Sequence, residues 1–248
     1  MTRIVGHIVT KNESDRFLQA CLNWNGEFLD DLYVYEDQSN DSTVEVAKTF
    51  TENVLVRSDK EPAFLEDEGR FRQTAWDHMG KVLDLEEGDW VFAFDADEFL
   101  VGNHHDGGRQ ALELLIEFAD STNNKAVSIH RIEIWDQKVP YKQRIDGYWA
   151  KDFVPRLVRW QPKGKFKDAK LGCGSIPVYG LDRTAKVLSI CNILHFGYSL
   201  EGEAKRKYDL YSELSGNAHS RKHIESIVQP PTLEPWWGPE PNIWRGIR

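Results

Sequence analysis

Asp95, Asp97 and Glu98 crowd three carboxylates into four residues directly after an apolar run, Trp90 to Phe94. Hard oxygen ligands of this kind suit Mg²⁺ or Mn²⁺ carrying a diphosphate, because such an ion takes one or two protein carboxylates and fills its other positions with phosphate oxygens and water. In extended backbone, residues two apart point the same way, so Asp95 and Asp97 are expected to face one cleft. The bland alternative is a solvated acidic loop, since the D-x-D pattern is common. Its place after a buried strand, where open α/β sheets bind ligands, favours the metal reading.

The elements needed to position these acids are readable from periodicity. Ile4 to Val9, Leu32 to Tyr35, Val54 to Val56 and Trp90 to Phe94 read as strands, and further strands are expected at Val127 to Ile134, Leu157 to Trp160 and Val187 to Ile190. Between them, Asn12 is expected to cap a helix carrying Phe17, Leu18, Cys21 and Leu22, and Ser42 with Glu45 forms a candidate capping box. Helical spacing recurs in Phe71, Ala75, Met79 and Leu83, in Ala111, Leu114, Leu115 and Phe118, and from Leu200 to Leu214. Alternation of strand and helix predicts an α/β fold. The segment 229–248, with five prolines beside Trp236, Trp237 and Trp244, is expected to run extended, with some surface covering the rings.

Bulk properties narrow the class. The 248 residues, 40% of them hydrophobic, suffice for one substantial core. A net charge of −9 disfavours sequence-independent nucleic-acid binding, and no stretch approaches a membrane span or a secretory h-region, so the chain is expected in the cytosol. Cys21, Cys173 and Cys191 lack C-x-x-C spacing and read as reduced thiols.

Three motifs in order, Val9-Thr10-Lys11-Asn12-Glu13, Glu36-Asp37-Gln38-Ser39-Asn40-Asp41-Ser42-Thr43 and Asp95-Ala96-Asp97-Glu98-Phe99-Leu100, resemble the family-two-type glycosyltransferases of the GT-A fold. A weaker echo continues through Pro155-Arg156-Leu157, His195-Phe196-Gly197-Tyr198 and Lys205 to Tyr208. The resemblance implies a mixed central sheet flanked by helices, with a nucleotide-binding half over 1–100, an acceptor-side half over 101–228 and the tail beyond. It also implies a UDP-sugar or similar donor, Mn²⁺ or Mg²⁺, and transfer of the sugar to a hydroxyl or amine acceptor that the sequence does not identify. Carried over by position, it assigns Thr10 and Glu13 to the nucleotide, Asp37 to the base, Asp95 to the ribose, Asp97 and His195 to the metal, and Arg72 to the nucleotide. Glu36 and Gln38 depart from the family's usual paired aspartates followed by glycine, which leaves base specificity open.

Departure of a nucleoside diphosphate builds negative charge, which a cation from the run Lys205 to Lys207, with Lys205 as the candidate, is expected to offset. If the anomeric centre inverts, a carboxylate must take the acceptor's proton. Asp136, after the strand and beside Trp135, is the candidate, with Glu133, Asp146 and Asp152 as rivals. His104-His105-Asp106, among glycines, reads as a solvated loop and not a second metal site. A sugar nucleotidyltransferase is the nearest enzymatic rival, although Thr10 to Arg16 has no glycine for a triphosphate loop; a carbohydrate-binding or scaffolding protein is the rival of another class.

Overall fold

The computed structural model describes residues 2–102, 108–150, 152–214 and 221–241. Its strands are β1 (Ile4–Thr10), β2 (Asp31–Glu36), β3 (Val54–Val56), β4 (Trp90–Ala93), β5 (Glu98–Gly102), β6 (Ala126–Asp136), β7 (Lys142–Arg144), β8 (Asp152–Arg159), β9 (Thr184–His195) and β10 (Leu233–Pro235). The helices are α1 (Leu18–Gly26), α2 (Thr43–Lys48), α3 (Glu68–Val82), α4 (Gly108–Ser121), α5 (Val178–Leu181), α6 (Glu203–Glu213) and α7 (Arg221–Ile227). In one mixed sheet, β3, β2, β1 and β4 run parallel, β8 and β6 continue antiparallel, and β7 and β10 form the far edge. β9 lies along β6 and carries β5 antiparallel on its other side.

Strand alternation builds a core on each face of this sheet. Ile4, Ile8, Leu32, Val34, Trp90 and Phe92 point to one face, where α1 and α4 bury Leu18, Leu22, Leu112 and Leu115. The intervening Val5, Tyr33, Tyr35, Val91 and Ala93 point to the other, against Phe71, Ala75, Trp76 and Met79 of α3. Each large side chain so buried contributes about 1.5–3 kcal/mol, which fixes the strand register. Because β1 has β2 on one side and β4 on the other, the winding reverses there, and the crevice beyond the carboxyl ends of β1 and β4 is the expected ligand position.

Local details depart from the sequence reading. Asn12 does not cap α1: it takes a positive φ of 53° and its side chain accepts from the Asn40 amide at 3.0 Å, tying the loop after β1 to the loop after β2. The box of Ser42 and Glu45 gives way to Asp41, which accepts from the Thr43 amide at 3.0 Å and the Ser14 hydroxyl at 2.9 Å. The expected tail is partly sheet. β10 pairs with β7, the Trp236 amide donates to the Tyr141 carbonyl at 2.7 Å, and Trp236 packs on the main core. Trp237 is 83% exposed, and Trp244 lies outside the described residues. No described helix is long and apolar enough to cross a membrane.

Candidate active site

A cavity of about 760 Å³ lies where the sheet topology expects one. Thr10, Glu13, Arg72, Asp95, Asp97 and His195 all line it, so six of the nine residues singled out from sequence converge. The acidic segment reaches it differently from expectation. β4 ends at Ala93, and Ala96 and Asp97 form a turn closed by the Glu98 amide on the Asp95 carbonyl at 3.1 Å. Glu98 then opens β5, a strand absent from the sequence reading, and its register places Glu98 opposite His195 of β9.

That pairing is what brings Asp97 to the histidine. His195 Nε2 stands 3.4 Å from Asp97 Oδ1, while its Nδ1 is 2.5 Å from Glu133 Oε2 on β6, the strand on the other side of β9. Glu133 in turn lies 2.9 Å from Arg131 Nε. Burial opposes protonation of His195, but Glu133 and Asp97 outweigh it and raise its pKa to about 9. The reciprocal pull of His195 against desolvation lowers Glu133 to about 2 and holds Asp97 far below the ordinary carboxylate range. Burial and then Asp97 push Glu13 the other way, to about 7. Thr10 Oγ1 and Glu13 Oε2 are buried without a hydrogen-bond partner.

Gly197 completes this corner. A Cβ there would come within 2.3 Å of Lys207 Nζ, 2.5 Å of His195 Nε2 and 2.8 Å of Asp97 Oδ2, so only glycine lets these three groups converge. A carboxylate and an imidazole whose far nitrogen meets a second carboxylate form a donor set suited to a divalent ion. Among the described residues no group of three or more His, Cys, Asp or Glu could hold an ion. An ion here would therefore draw its remaining ligands from phosphate and water.

Arg156, buried on β8, organises the other acids. Its Nη2 lies 2.5 Å from Asp95 Oδ2 and 2.6 Å from Glu98 Oε1, and its Nη1 donates to Ser175 Oγ. Burial raises Glu98 despite Arg156, whereas Arg156 overcomes desolvation at Asp95 and lowers it. Arg72 is buried on α3, with its Nε on Glu68 Oε1 at 2.7 Å and its guanidinium 5.2 Å above the Phe64 ring.

Three expected site residues fall outside the cavity lining. Asp136 accepts from the Lys138 amide at 3.0 Å and from Lys142 Nζ at 3.1 Å, beside a separate hollow. On β6, Ile132 and Ile134 face the core, whereas Arg131 and Glu133 alternate toward His195 and the cavity, and an irregularity in the pairing with β7 separates Ile134 from Asp136. Of its rivals, Asp152 lines the cavity, with Arg131 Nη2 at 2.5 Å; Glu133 is consumed by His195, and Asp146 by Arg144 at 2.8–2.9 Å. Lys205 is exposed and bonded to Asp209, while Lys207 lines the cavity, 3.9 Å from Asp97 Oδ2 and 4.4 Å above the Tyr198 ring. Two helical residues apart is about 200° of rotation, so the two lysines cannot share a face. Asp37 is already engaged by Arg57 Nε at 2.5 Å, the Phe64 amide at 3.2 Å and Lys11 Nζ at 3.4 Å; Lys11 reaches the cavity in its stead. His104, His105 and Asp106 lie outside the described residues.

The fold and this cavity define an α/β protein with a mixed sheet and an acidic, arginine-buttressed cavity at its parallel strand ends. No known family pattern and no curated protein matches the chain. Among solved structures it is similar to S. aureus TarS 1-349 at 14% identity, covering 92% of this chain and 69% of that one with a TM-score of 0.46. It is also similar to Mycobacterium tuberculosis glucosyl-3-phosphoglycerate synthase in complex with Mn²⁺ and UDP-glucose, at 15% identity over 95% of this chain and 86% of that one, TM-score 0.42. A third similarity is to 4-diphosphocytidyl-2C-methyl-D-erythritol synthase, at 15% identity over 64% and 75% of the two chains, TM-score 0.38.

Proposed function

We propose that this chain is a metal-dependent glycosyltransferase of the GT-A type, taking a nucleoside-diphosphate sugar as donor and a hydroxyl or amine as acceptor. The observation that carries the reading is the corner of Asp97, His195 and Gly197 at the carboxyl ends of the parallel strands. Asp97 and His195 hold a Mn²⁺ or Mg²⁺ ion, which supplies Lewis-acid stabilisation of the leaving diphosphate. Lys207 adds a second positive charge beside Asp97. Thr10 and Glu13 serve the nucleotide through their unpartnered oxygens, Lys11 and Phe64 border the base, and Asp95 serves the ribose. Asp152 replaces Asp136 as the group that takes the acceptor's proton, because it alone of the four candidate acids presents a carboxylate to the cavity.

The test is thermal stability with UDP, GDP and UDP-sugars, each with Mn²⁺ and with EDTA. A ligand bound only by the native state raises the transition by mass action, so a metal-dependent rise supports the donor site and names the nucleotide. Binding of glycans without metal or nucleotide would instead favour a carbohydrate-binding module.

Two substitutions probe the supporting groups. Glu133→Gln removes the carboxylate that orients His195, and Mn²⁺ affinity measured by titration calorimetry in the presence of UDP is expected to fall about 10–100-fold. Lys207→Met is expected to slow sugar transfer about 10–100-fold through lost stabilisation of the leaving group, whereas Lys205→Met on the exposed face stays within about twofold. Equal effects of the two would remove Lys207 from the site.

A further inference from the structure

The cavity has one wall that the donor reading does not yet use. Leu171, Gly172, Gly174 and Ser175 line it, in a segment where exposure alternates: Gly172 and Gly174 are exposed, and Leu171, Cys173 and Ser175 are buried. Both glycines take positive φ, 76° and 85°, which turns bare backbone toward the cavity. A Cβ built on Gly174 meets nothing within 4 Å. Gly174 is exposed at the cavity lining, so a side chain there would enter open space and not the protein's own packing.

This wall is rigidly tied. Glu68 Oε2 accepts from the Gly172 and Cys173 amides at 2.5 and 3.2 Å, and the Glu68 and Gly69 amides donate to the Lys170 and Ala169 carbonyls at 2.8 and 3.0 Å. The other oxygen of Glu68 holds Arg72, and Ser175 accepts from Arg156, which holds Asp95. The segment thus spans two donor-side residues, Arg72 and Asp95, through charge-assisted hydrogen bonds. Its own surface is uncharged: backbone, a serine hydroxyl and one leucine. Without a cationic side chain of its own, such a surface suits a neutral, hydroxyl-bearing ring.

We propose that Leu171–Ser175 forms the wall of the donor-sugar pocket, and that the bare backbone at Gly174 sets which sugar substituents fit. This rests on the glycosyltransferase reading above. A side chain at position 174 would fill space that the sugar occupies and the nucleotide does not. Asparagine is the informative replacement because it tolerates positive φ better than other non-glycine residues.

Titration calorimetry with Mn²⁺ would compare UDP, UDP-glucose and UDP-N-acetylglucosamine on the wild type and on Gly174→Asn. UDP affinity is expected to stay within about twofold while the affinity of the sugar nucleotides relative to UDP falls about tenfold, most for the bulkier acetamido donor. Retained UDP binding also certifies that the variant is folded. If Gly174→Asn does not fold, Leu171→Ala tests the same wall without touching the left-handed backbone, with an expected fall of about threefold in sugar-nucleotide affinity relative to UDP. An unchanged ratio of sugar nucleotide to UDP, or an equal loss for both, overturns the proposal while leaving the donor site intact. If neither UDP nor GDP binds the wild type, the donor reading itself falls and this inference with it.

Discussion

Asp97→Ala is expected to abolish the metal-dependent stabilisation by nucleotide and to lower sugar transfer by about a thousandfold or more, the scale of losing a preorganised charge-stabilising group. The reason is the small donor set. With no third histidine or acid among the described residues able to join Asp97 and His195, loss of the carboxylate leaves a lone imidazole, which does not retain Mg²⁺ or Mn²⁺ against water. The fold itself is expected to survive with a lower transition temperature, because Asp97 sits in a turn outside the sheet cores but His195 and Lys207 lose the carboxylate that faces them. The check is the transition temperature with and without Mn²⁺ and UDP, beside a transfer assay. A variant that still gains stability from UDP only when Mn²⁺ is present would move the metal away from this corner.

Arg156→Met is expected to destabilise the protein by about 3–5 kcal/mol, the usual result of removing one partner from a buried ion pair. Its guanidinium bonds Asp95, Glu98 and Ser175, and the Glu98 carboxylate is almost wholly buried. Without the arginine, Glu98 is left with the more distant charge of Arg131 Nη1 at 3.7 Å and must take up a proton or remain charged in a low dielectric. Urea denaturation measures the loss. The companion Glu98→Gln is informative, since the double variant should recover part of the stability by removing the stranded charge, giving a favourable coupling in a double-mutant cycle. Strict additivity of the two would mean that Arg156 stabilises the fold by packing rather than by charge.

What could be read in advance was what depends on short-range pattern. The parallel strands β1 to β4 and helices α1 to α4 follow from apolar spacing of two or of three and four residues, and each motif after β1, β2 and β4 comes to the carboxyl end of its strand. Asp95 and Asp97 were accordingly legible as cavity residues. The caps were not. Asn12 and Ser42 have the right chemistry for capping, yet Asp41 reaches both neighbourhoods across the interloop contact and satisfies the amides of Ser14 and Thr43. A capping signal records what a side chain is able to bond locally, and a partner some 27 residues away in sequence can win.

The same limit separates the expected residues that line the cavity from those that do not. Asp136 and Lys205 lie outside the cavity lining, whereas Asp152 on β8 and Lys207, about 200° of helical rotation from Lys205, line it. Parity along β6 was visible in Ile132 and Ile134, but the irregularity between Ile134 and Asp136 interrupts it; nor was the tie of Glu133 to His195 legible, because it needs β6 and β9 to lie side by side. Sequence by itself determined the alternating α/β order, the acidic segment after β4 and the chemical types gathered at the parallel strand ends. Tertiary structure decided which of those groups meet: β5 on β9 brings Asp97 to His195, β8 on β4 delivers Arg156 to Asp95 and Glu98, and the start of α3 clamps Leu171–Ser175 against the cavity. Periodicity reports a residue's own backbone, whereas these contacts depend on pairings between strands and loops far apart in the chain, and those are selected by burial of the whole sheet.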